Sequence, residues 1–159
     1  MLITMMTVPV IAATTQDVTA SVTVSSVINA TITDNPGTGL NFGSLSKGAT
    51  DTPETAQTES VGAVTIVVHS DTSVNCNIKV KATDFTATSP VATLPITNAK
   101  YGTSNSGTKT AFAAANTYYT LGSHTVGASD TTVQAYHWLS IPSNQVAGSY
   151  QSTFTYTVE

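Results

Sequence analysis

Charged side chains are scarce in this sequence. Only 9% of the 159 residues are charged, with five lysines and a formal net charge of −4, whereas an average soluble domain is about one-quarter charged. Arginine is absent, and phosphate binding requires clustered lysine and arginine, so nucleic acid is excluded as a partner. Soluble proteins this poor in charge are typically found outside the cell, where hydroxyl groups, glycans or assembly provide solvation. We therefore expect an extracellular protein of the cell surface.

Cysteine is nearly absent. Cys76 is the single cysteine, which excludes an internal disulfide framework. The alternation of apolar and polar residues around it predicts an inward-pointing, buried thiol in a strand.

Hydrophobic runs long enough to span a membrane are also lacking. The most apolar stretch, residues 1–13, is too short to cross a bilayer and contains Pro9. Two interpretations remain open: the end of a secretory signal peptide with cleavage after Ala12 or Ala13, or a hydrophobic strand of the mature chain. In either case we expect contact with a membrane only during secretion.

Recognisable catalytic and metal-binding motifs are missing. No HExxH, P-loop, GxSxG or GxGxxG pattern occurs. The loop at residues 47–60 carries carboxylates without the spacing of an EF-hand, so we expect it to be solvated. His137 shares its phase with apolar neighbours and is expected in the core, whereas His124 is expected in a solvated loop. We therefore predict no enzyme activity, no cofactor, no metal and no small-molecule substrate. The loop carboxylates are Asp51, Glu54 and Glu59.

What the sequence does contain is β-strand alternation. In residues 150–158, aromatic and β-branched residues alternate with threonine, as in a half-buried antiparallel strand. We expect this strand to form a hairpin with residues 133–141, and residues 61–69 to form a tight hairpin with residues 74–82. A short helical patch is expected at residues 111–116. Further strands are expected at residues 40–45, 91–101 (interrupted by Pro95) and 118–121.

This pattern predicts an all-β fold. We expect a single antiparallel β-sandwich of jelly-roll or Ig-like type, with about eight strands. It would occupy residues 14–159 and carry an extending strand at its N-terminus.

An unusually long alternation precedes the sandwich. Even positions of residues 18–32 carry a series of small and apolar residues, namely Val18, Ala20, Val22, Val24, Ser26, Ile28, Ala30 and Ile32, and the segment would extend about 50 Å as a strand. A typical strand has about five or six residues. The segment therefore either bends between sheets or continues into a second molecule.

Several motifs together resemble secreted filament subunits of prokaryotic surfaces. They are VTASVTV, LNFGSL, the VTIVVHSD…NCNIKVKATDF pair and the closing YHWLSIPSNQVAGSYQSTFTYTV. The chain resembles archaeal bundling pilus and thread proteins and the TasA/camelysin fibre proteins of bacterial biofilms. The resemblance implies donor-strand complementation, in which the N-terminal strand of one subunit completes the sandwich of the next.

The resemblance also implies which residues make this contact. The donor strand would span about residues 16–26, and the inserting side chains would be Val18, Ala20, Val22 and Val24. If residues 1–13 are retained, Leu2, Met6, Val8 and Val10 would extend or replace that strand. The expected function is then a homopolymeric extracellular filament for surface attachment or biofilm. The alternative is a non-polymerising Ig-like adhesion module.

Asn29 begins the Asn-Ala-Thr glycosylation sequon of the chain. It falls on the polar phase of the long alternation, so we regard it as a candidate glycosylation site of a secreted chain.

Overall fold

A computed structural model describes residues 21–159 and shows antiparallel β-strands with a single short 3-10 turn in that range. No helix in the described range is long and apolar enough to cross a bilayer. The strands are β1 (Ala30–Asp34), β2 (Thr52–Pro53), β3 (Val64–Val68), β4 (Cys76–Ala82), β5 (Phe85–Thr88), β6 (Val91–Leu94), β7 (Ala99–Gly102), β8 (Thr110–Ala111), β9 (Tyr119–His124), β10 (Thr131–Leu139) and β11 (Phe154–Val158).

The strands form two facing layers. The first sheet has the order β1-β3-β10-β7-β8, with β2 also paired to β10. The second layer contains the sheet β11-β4-β9 and the β5–β6 hairpin, which is joined to it by a bridge between Thr86 and Gln151. All named pairings are antiparallel. The predicted antiparallel β-sandwich is confirmed.

Alternation places the core between the layers. In β4, Cys76, Ile78, Val80 and Ala82 are buried and the residues between them are exposed or half-buried. This is the inward and outward assignment that the sequence predicts, including the buried thiol of Cys76.

Both predicted hairpins are wrong. β3 pairs with β1 and β10 in the first sheet, while β4 pairs with β9 and β11 in the second. The final two strands are separated in the same way, because β10 belongs to the first sheet and β11 to the second. In both cases the connecting segment crosses from one layer to the other instead of returning beside its neighbour.

Two smaller predictions are also wrong, and local backbone chemistry explains both. The strand expected at residues 40–45 is irregular, because Gly43 has a left-handed φ of 67° and donates its N–H to the Asn41 side chain at 2.8 Å. The helical patch at residues 111–116 does not form. Instead, the Tyr119 hydroxyl accepts the backbone N–H groups of Ala113 and Ala114, each at 2.8 Å.

The interruption expected at Pro95 is confirmed. Strand β6 ends at Leu94, a 3-10 turn spans Ile96–Asn98, and β7 begins at Ala99 in the opposite sheet. Because proline has no N–H to donate to a ladder, the chain changes sheets at this point.

Candidate functional site: a groove at the open edge of the sandwich

Strand β11 uses one side of its backbone for pairing within residues 21–159. Asn77 of the second sheet and Glu159 exchange two backbone hydrogen bonds, at 2.6 and 3.0 Å. Hydrogen-bonded pairs alternate along an antiparallel ladder, so every second residue of β11 turns its N–H and C=O away from β4. These residues are Phe154, Tyr156 and Val158, and no described strand pairs with that side.

Strand β1 is the corresponding free edge of the first sheet. The backbone N–H of His69 donates to the carbonyl of Asn29 at 2.9 Å, which sets the phase of the β1–β3 ladder. By the same alternation, Ala30, Ile32 and Asp34 turn their backbone groups away from β3. A strand edge of this kind presents unpaired donors and acceptors to any incoming chain.

Side chains at these two edges face the interior but are only partly covered. Ile32 lies opposite Ile66, and Tyr156 lies opposite Val80. Ile66 and Val80 are 0% exposed, whereas Ile32 is 45% exposed and Tyr156 is half-buried. The edge residues therefore face inward like their paired residues, but less of the protein covers them.

A groove of about 1310 Å³ opens between the two edges. This volume exceeds the range of about 300–1,000 Å³ that is typical of small-ligand sites. Its first-sheet wall is β1 and residues 38–47, and its second-sheet wall is residues 145–153 and β11. Its lining is mixed, with polar residues such as Asn41, Gln145 and Ser152 beside apolar ones. The apolar side chains include Ile32, Leu40, Phe42, Phe85, Phe154 and Tyr156.

The chain that precedes β1 is anchored at one point and exposed beyond it. Val27 donates its N–H to Ser73 Oγ at 2.7 Å and accepts the Ser73 N–H at 2.9 Å. Asn29 donates its N–H to the buried hydroxyl of Thr72 at 3.0 Å. Further toward the N-terminus, Val22 is 87% exposed and Val24 is 84% exposed.

Two of the predicted donor residues, Val22 and Val24, are thus described, and both point their apolar side chains into solvent. Val18 and Ala20 lie outside the described residues, as do residues 1–13. Asn29, the candidate glycosylation site, is exposed, and its side-chain amide donates to both carboxylate oxygens of Asp71 at 3.0 Å.

The sequence predicts a buried His137 and a solvated His124, and only the first of these predictions holds in the structure. His137 is fully buried, as predicted, and its Nε2 lies 2.7 Å from the Tyr156 hydroxyl. Burial lowers the pKa of His137 to about 3, so the imidazole is neutral at ordinary pH. His124 was expected in a solvated loop, and this is wrong: it ends β9, is 1% exposed and bonds Thr131 Oγ1 through Nδ1 at 2.8 Å.

One carboxylate of residues 47–60, that of Glu54, is buried, so the sequence prediction for it is wrong. Glu54 was expected to be solvated but is 1% exposed. Its carboxylate accepts the backbone N–H groups of Asn41, Ala56 and Gln57 at 2.9–3.1 Å, so it fastens the groove wall to the first sheet. Within residues 21–159, no group of three or more histidine, cysteine or carboxylate side chains could hold a metal ion.

The half-exposed Asp51 forms an ion pair with Lys100 at 2.8 Å. The hydrogen bond from Lys100 lowers the pKa of the Asp51 carboxyl below its ordinary value, against the opposing effect of partial burial.

One chain of polar groups has the order of a hydrolase triad. His69 Nδ1 lies 3.2 Å from Asp130, and its Nε2 lies 3.1 Å from the Thr31 hydroxyl. These side chains are on the outward face of the first sheet, where Thr31 precedes the groove residue Ile32. The Ser70 N–H, followed by His69, lowers the pKa of Asp130. In this position the chain of bonds ties the β1 edge to β3 and to the start of β10.

Comparison with known proteins identifies no relative: no family model, no curated protein and no solved structure matches this chain.

Sequence reasoning did not locate the groove. Phe154 and Tyr156 were recognised as inward-facing from their alternation, but alternation does not reveal that one side of their strand lacks a partner. Residues 40–45 gave a misleading strand signal, although the Gly-Thr-Gly and Phe-Gly steps at Gly39 and Gly43 favour the irregular wall that forms.

Proposed function

We propose that the protein is a structural subunit of an extracellular filament that polymerises head-to-tail by donor-strand complementation, for surface attachment or biofilm. The donor is residues 16–26, called the arm, and the partner is another copy of the same chain. One observation carries this proposal: a groove with partly exposed apolar side chains, bordered by two unpaired strand edges, occurs on the same chain as an alternating arm whose described valines, Val22 and Val24, are exposed.

The chemistry of the arm complements the groove. An inserted strand supplies backbone donors and acceptors to the free side of β11, and its even-numbered side chains cover the half-exposed apolar lining. Burial of apolar surface contributes about 25 cal/mol per Å², so covering several valine-sized side chains stabilises a complex by several kcal/mol.

The arm is unsuited to filling the groove of its own subunit. To do so it would have to reverse direction near Val27, where its backbone is bonded to Ser73. Glycine and proline, which favour tight reversals, do not occur between Pro9 and Pro36, so a reversal before Val27 would rest on Ser25 and Ser26 alone. An arm that continues the line of β1 reaches a neighbour instead.

A contact of this type joins two different surfaces of the same chain. Each subunit donates an arm and accepts one, and such a heterologous contact does not close upon itself unless the subunits form a ring. The expected product is therefore a fibre whose length increases with concentration.

The first experiment compares two chains by negative-stain electron microscopy, one beginning at Ala13 and one beginning at Ser26. We expect filaments from the longer chain alone. Dispersed particles from both chains would favour an adhesion module that does not polymerise, and filaments from both would show that residues before Ser26 are not the donor.

Point variants in the longer chain separate the two phases of the arm. Val22→Asp should abolish filaments, because an unpaired charge buried against the apolar side chains of the groove costs several kcal/mol. Thr23→Asp is the matched control, since its side chain has the opposite phase and would face away from the groove. Equal effects of the two substitutions would contradict insertion in the predicted phase.

A further inference from the structure

Two exposed valines mark the end of the sandwich from which the arm leaves. Val27 is 54% exposed and Val126 is 50% exposed. Both are held to the same turn, since Val27 bonds Ser73 and the Val126 N–H donates to the Asn75 side chain at 2.8 Å. We call Val27 and Val126 the arm pole.

A second pair of exposed valines lies beside the groove. Val91 is 90% exposed and Val146 is 48% exposed. Val146 lines the groove, and nearby Gly148 packs against Pro90, which precedes Val91 in the β5–β6 turn. We call Val91 and Val146 the groove pole.

The two poles are at opposite ends of the molecule. Strand β4 begins at Cys76, next to the arm pole, and the chain continues through β5 to Thr88, next to the groove pole. At the rise of an extended strand, this run of residues 76–88 covers about 40 Å. A single exposed valine needs no explanation. Here one exposed pair lies at each end of the β4–β5 run, so head-to-tail stacking along that direction brings the two pairs together.

The direction of the strands sets the direction of insertion. Ala30, at the start of β1, and Val158, at the end of β11, pack against the same cluster around Ile78. Phe154, at the start of β11, packs in the other cluster with Phe42, which follows β1. Strands β1 and β11 therefore run in opposite directions, and an arm that continues the line of β1 would lie antiparallel to the β11 of an identically oriented neighbour.

We propose that the arm pole of one subunit packs on the groove pole of the next, as a second contact between copies of this chain in addition to the inserted arm. This inference rests on the proposed function. Subunits in a head-to-tail polymer share one orientation along its axis, so an arm that leaves at the arm pole meets the opposite end of its neighbour. Insertion then brings Val27 and Val126 to Val91 and Val146 across the subunit boundary.

The test uses full-length chains with charges placed at the poles. Val91→Asp and Val126→Lys should each raise the critical concentration for filament formation by about tenfold or more, because each buries an uncompensated charge at the boundary. The double variant with both substitutions should recover most of the loss, since the new charges face each other across every contact. Val61→Asp is the control, because Val61 is similarly exposed at 41% but precedes Gly62, which packs against Ala135 in the middle of β10.

A separate measurement distinguishes failure of this inference from failure of the proposed function. A synthetic peptide of residues 16–26 should bind a full-length Val22→Asp/Val24→Asp chain, and adding Val91→Asp should leave that affinity unchanged. If the peptide binds but the charge pair gives no recovery, the pole contact is wrong and the donor arm stands. If the peptide does not bind, the donor arm is wrong, and recovery by the charge pair would then show a polymer held by its poles alone.

Discussion

The interior between β4 and β10 and the edge between β1 and β11 are built from the same alternation but are not equally covered. In the interior, Ile78, Val80 and Ala135 are essentially inaccessible to solvent. At the edge, Ile32 and Phe154 have the same inward phase but remain accessible. The alternation in a strand predicts which of its faces is apolar. The structure shows whether other residues of the same chain bury that face.

This contrast leaves a groove with partly exposed apolar side chains in a protein that has few charges. A monomeric sandwich commonly protects its edge strands with charge, proline or a covering loop. Here Phe154, Tyr156 and Val158 turn their backbone groups away from β4, and β11 borders a wide groove that polar and apolar side chains line together. The cover that we propose is the arm of another copy.

The largest expected effect is on the free energy of unfolding, when a side chain of the interior is truncated and the edge is left unchanged. Ile66→Ala should lower the free energy of unfolding by about 2–5 kcal/mol, because it creates a cavity in a fully buried site. Ile32→Ala, at the paired position on β1, should lower it by about 1 kcal/mol or less, because that side chain is already half in solvent. Urea denaturation of both variants in a Val22→Asp background measures the difference.

For filament assembly, we expect Ile32→Ala to have a larger effect than Ile66→Ala. In the otherwise unchanged chain, Ile32→Ala should raise the critical concentration because it removes groove lining, and Ile66→Ala should leave it near the original value at temperatures where the subunit is folded. Sedimentation of filaments measures both, and the same rank order in stability and assembly would contradict the distinction between interior and edge.

A smaller effect concerns the pH dependence of the interior. His137 has a pKa of about 3 in the folded protein and an ordinary value of 6.5 when unfolded. Between these values the unfolded chain binds one more proton at this residue, so folding stability decreases as the pH falls from 6.5 toward 3. The expected contribution is about 1.4 kcal/mol per pH unit.

The matched comparison for this effect is His137→Asn, which removes the titrating group. Urea denaturation at pH 7, 6, 5 and 4 should show a shallower loss of stability for the variant than for the original protein. Parallel curves would show that the buried imidazole does not control the acid response.

The fold class and the inward faces could be predicted from sequence because alternation is local. The buried set of β4 follows directly from residues 76–82. Partner choice is not local, and so both expected hairpins were wrong: β3 and β4 are adjacent in sequence, yet each pairs within a different sheet. The burial of Glu54 was unpredictable for the same reason, since its stabilising N–H groups include that of Asn41, more than ten residues away.

The candidate site was predictable on one side only. The arm can be recognised in the sequence from its long alternation. In the structure, its described residues Val22 and Val24 are exposed to solvent. The groove depends on which edges remain unpaired after folding, and no short sequence pattern encodes that property. The proposed donor and the proposed acceptor therefore require different kinds of evidence, one from the sequence and one from the structure.

Amide hydrogen exchange at β11 tests the central claim most directly. In a full-length Val22→Asp/Val24→Asp chain, the N–H groups of Thr155 and Thr157 face β4 and should exchange slowly, whereas those of Phe154 and Tyr156 face the open groove and should exchange fast. Addition of the peptide of residues 16–26 should slow exchange at Phe154 and Tyr156 and leave the threonines unchanged. Unaltered exchange at Phe154 and Tyr156 under saturating peptide would contradict an arm that completes the sandwich at β11.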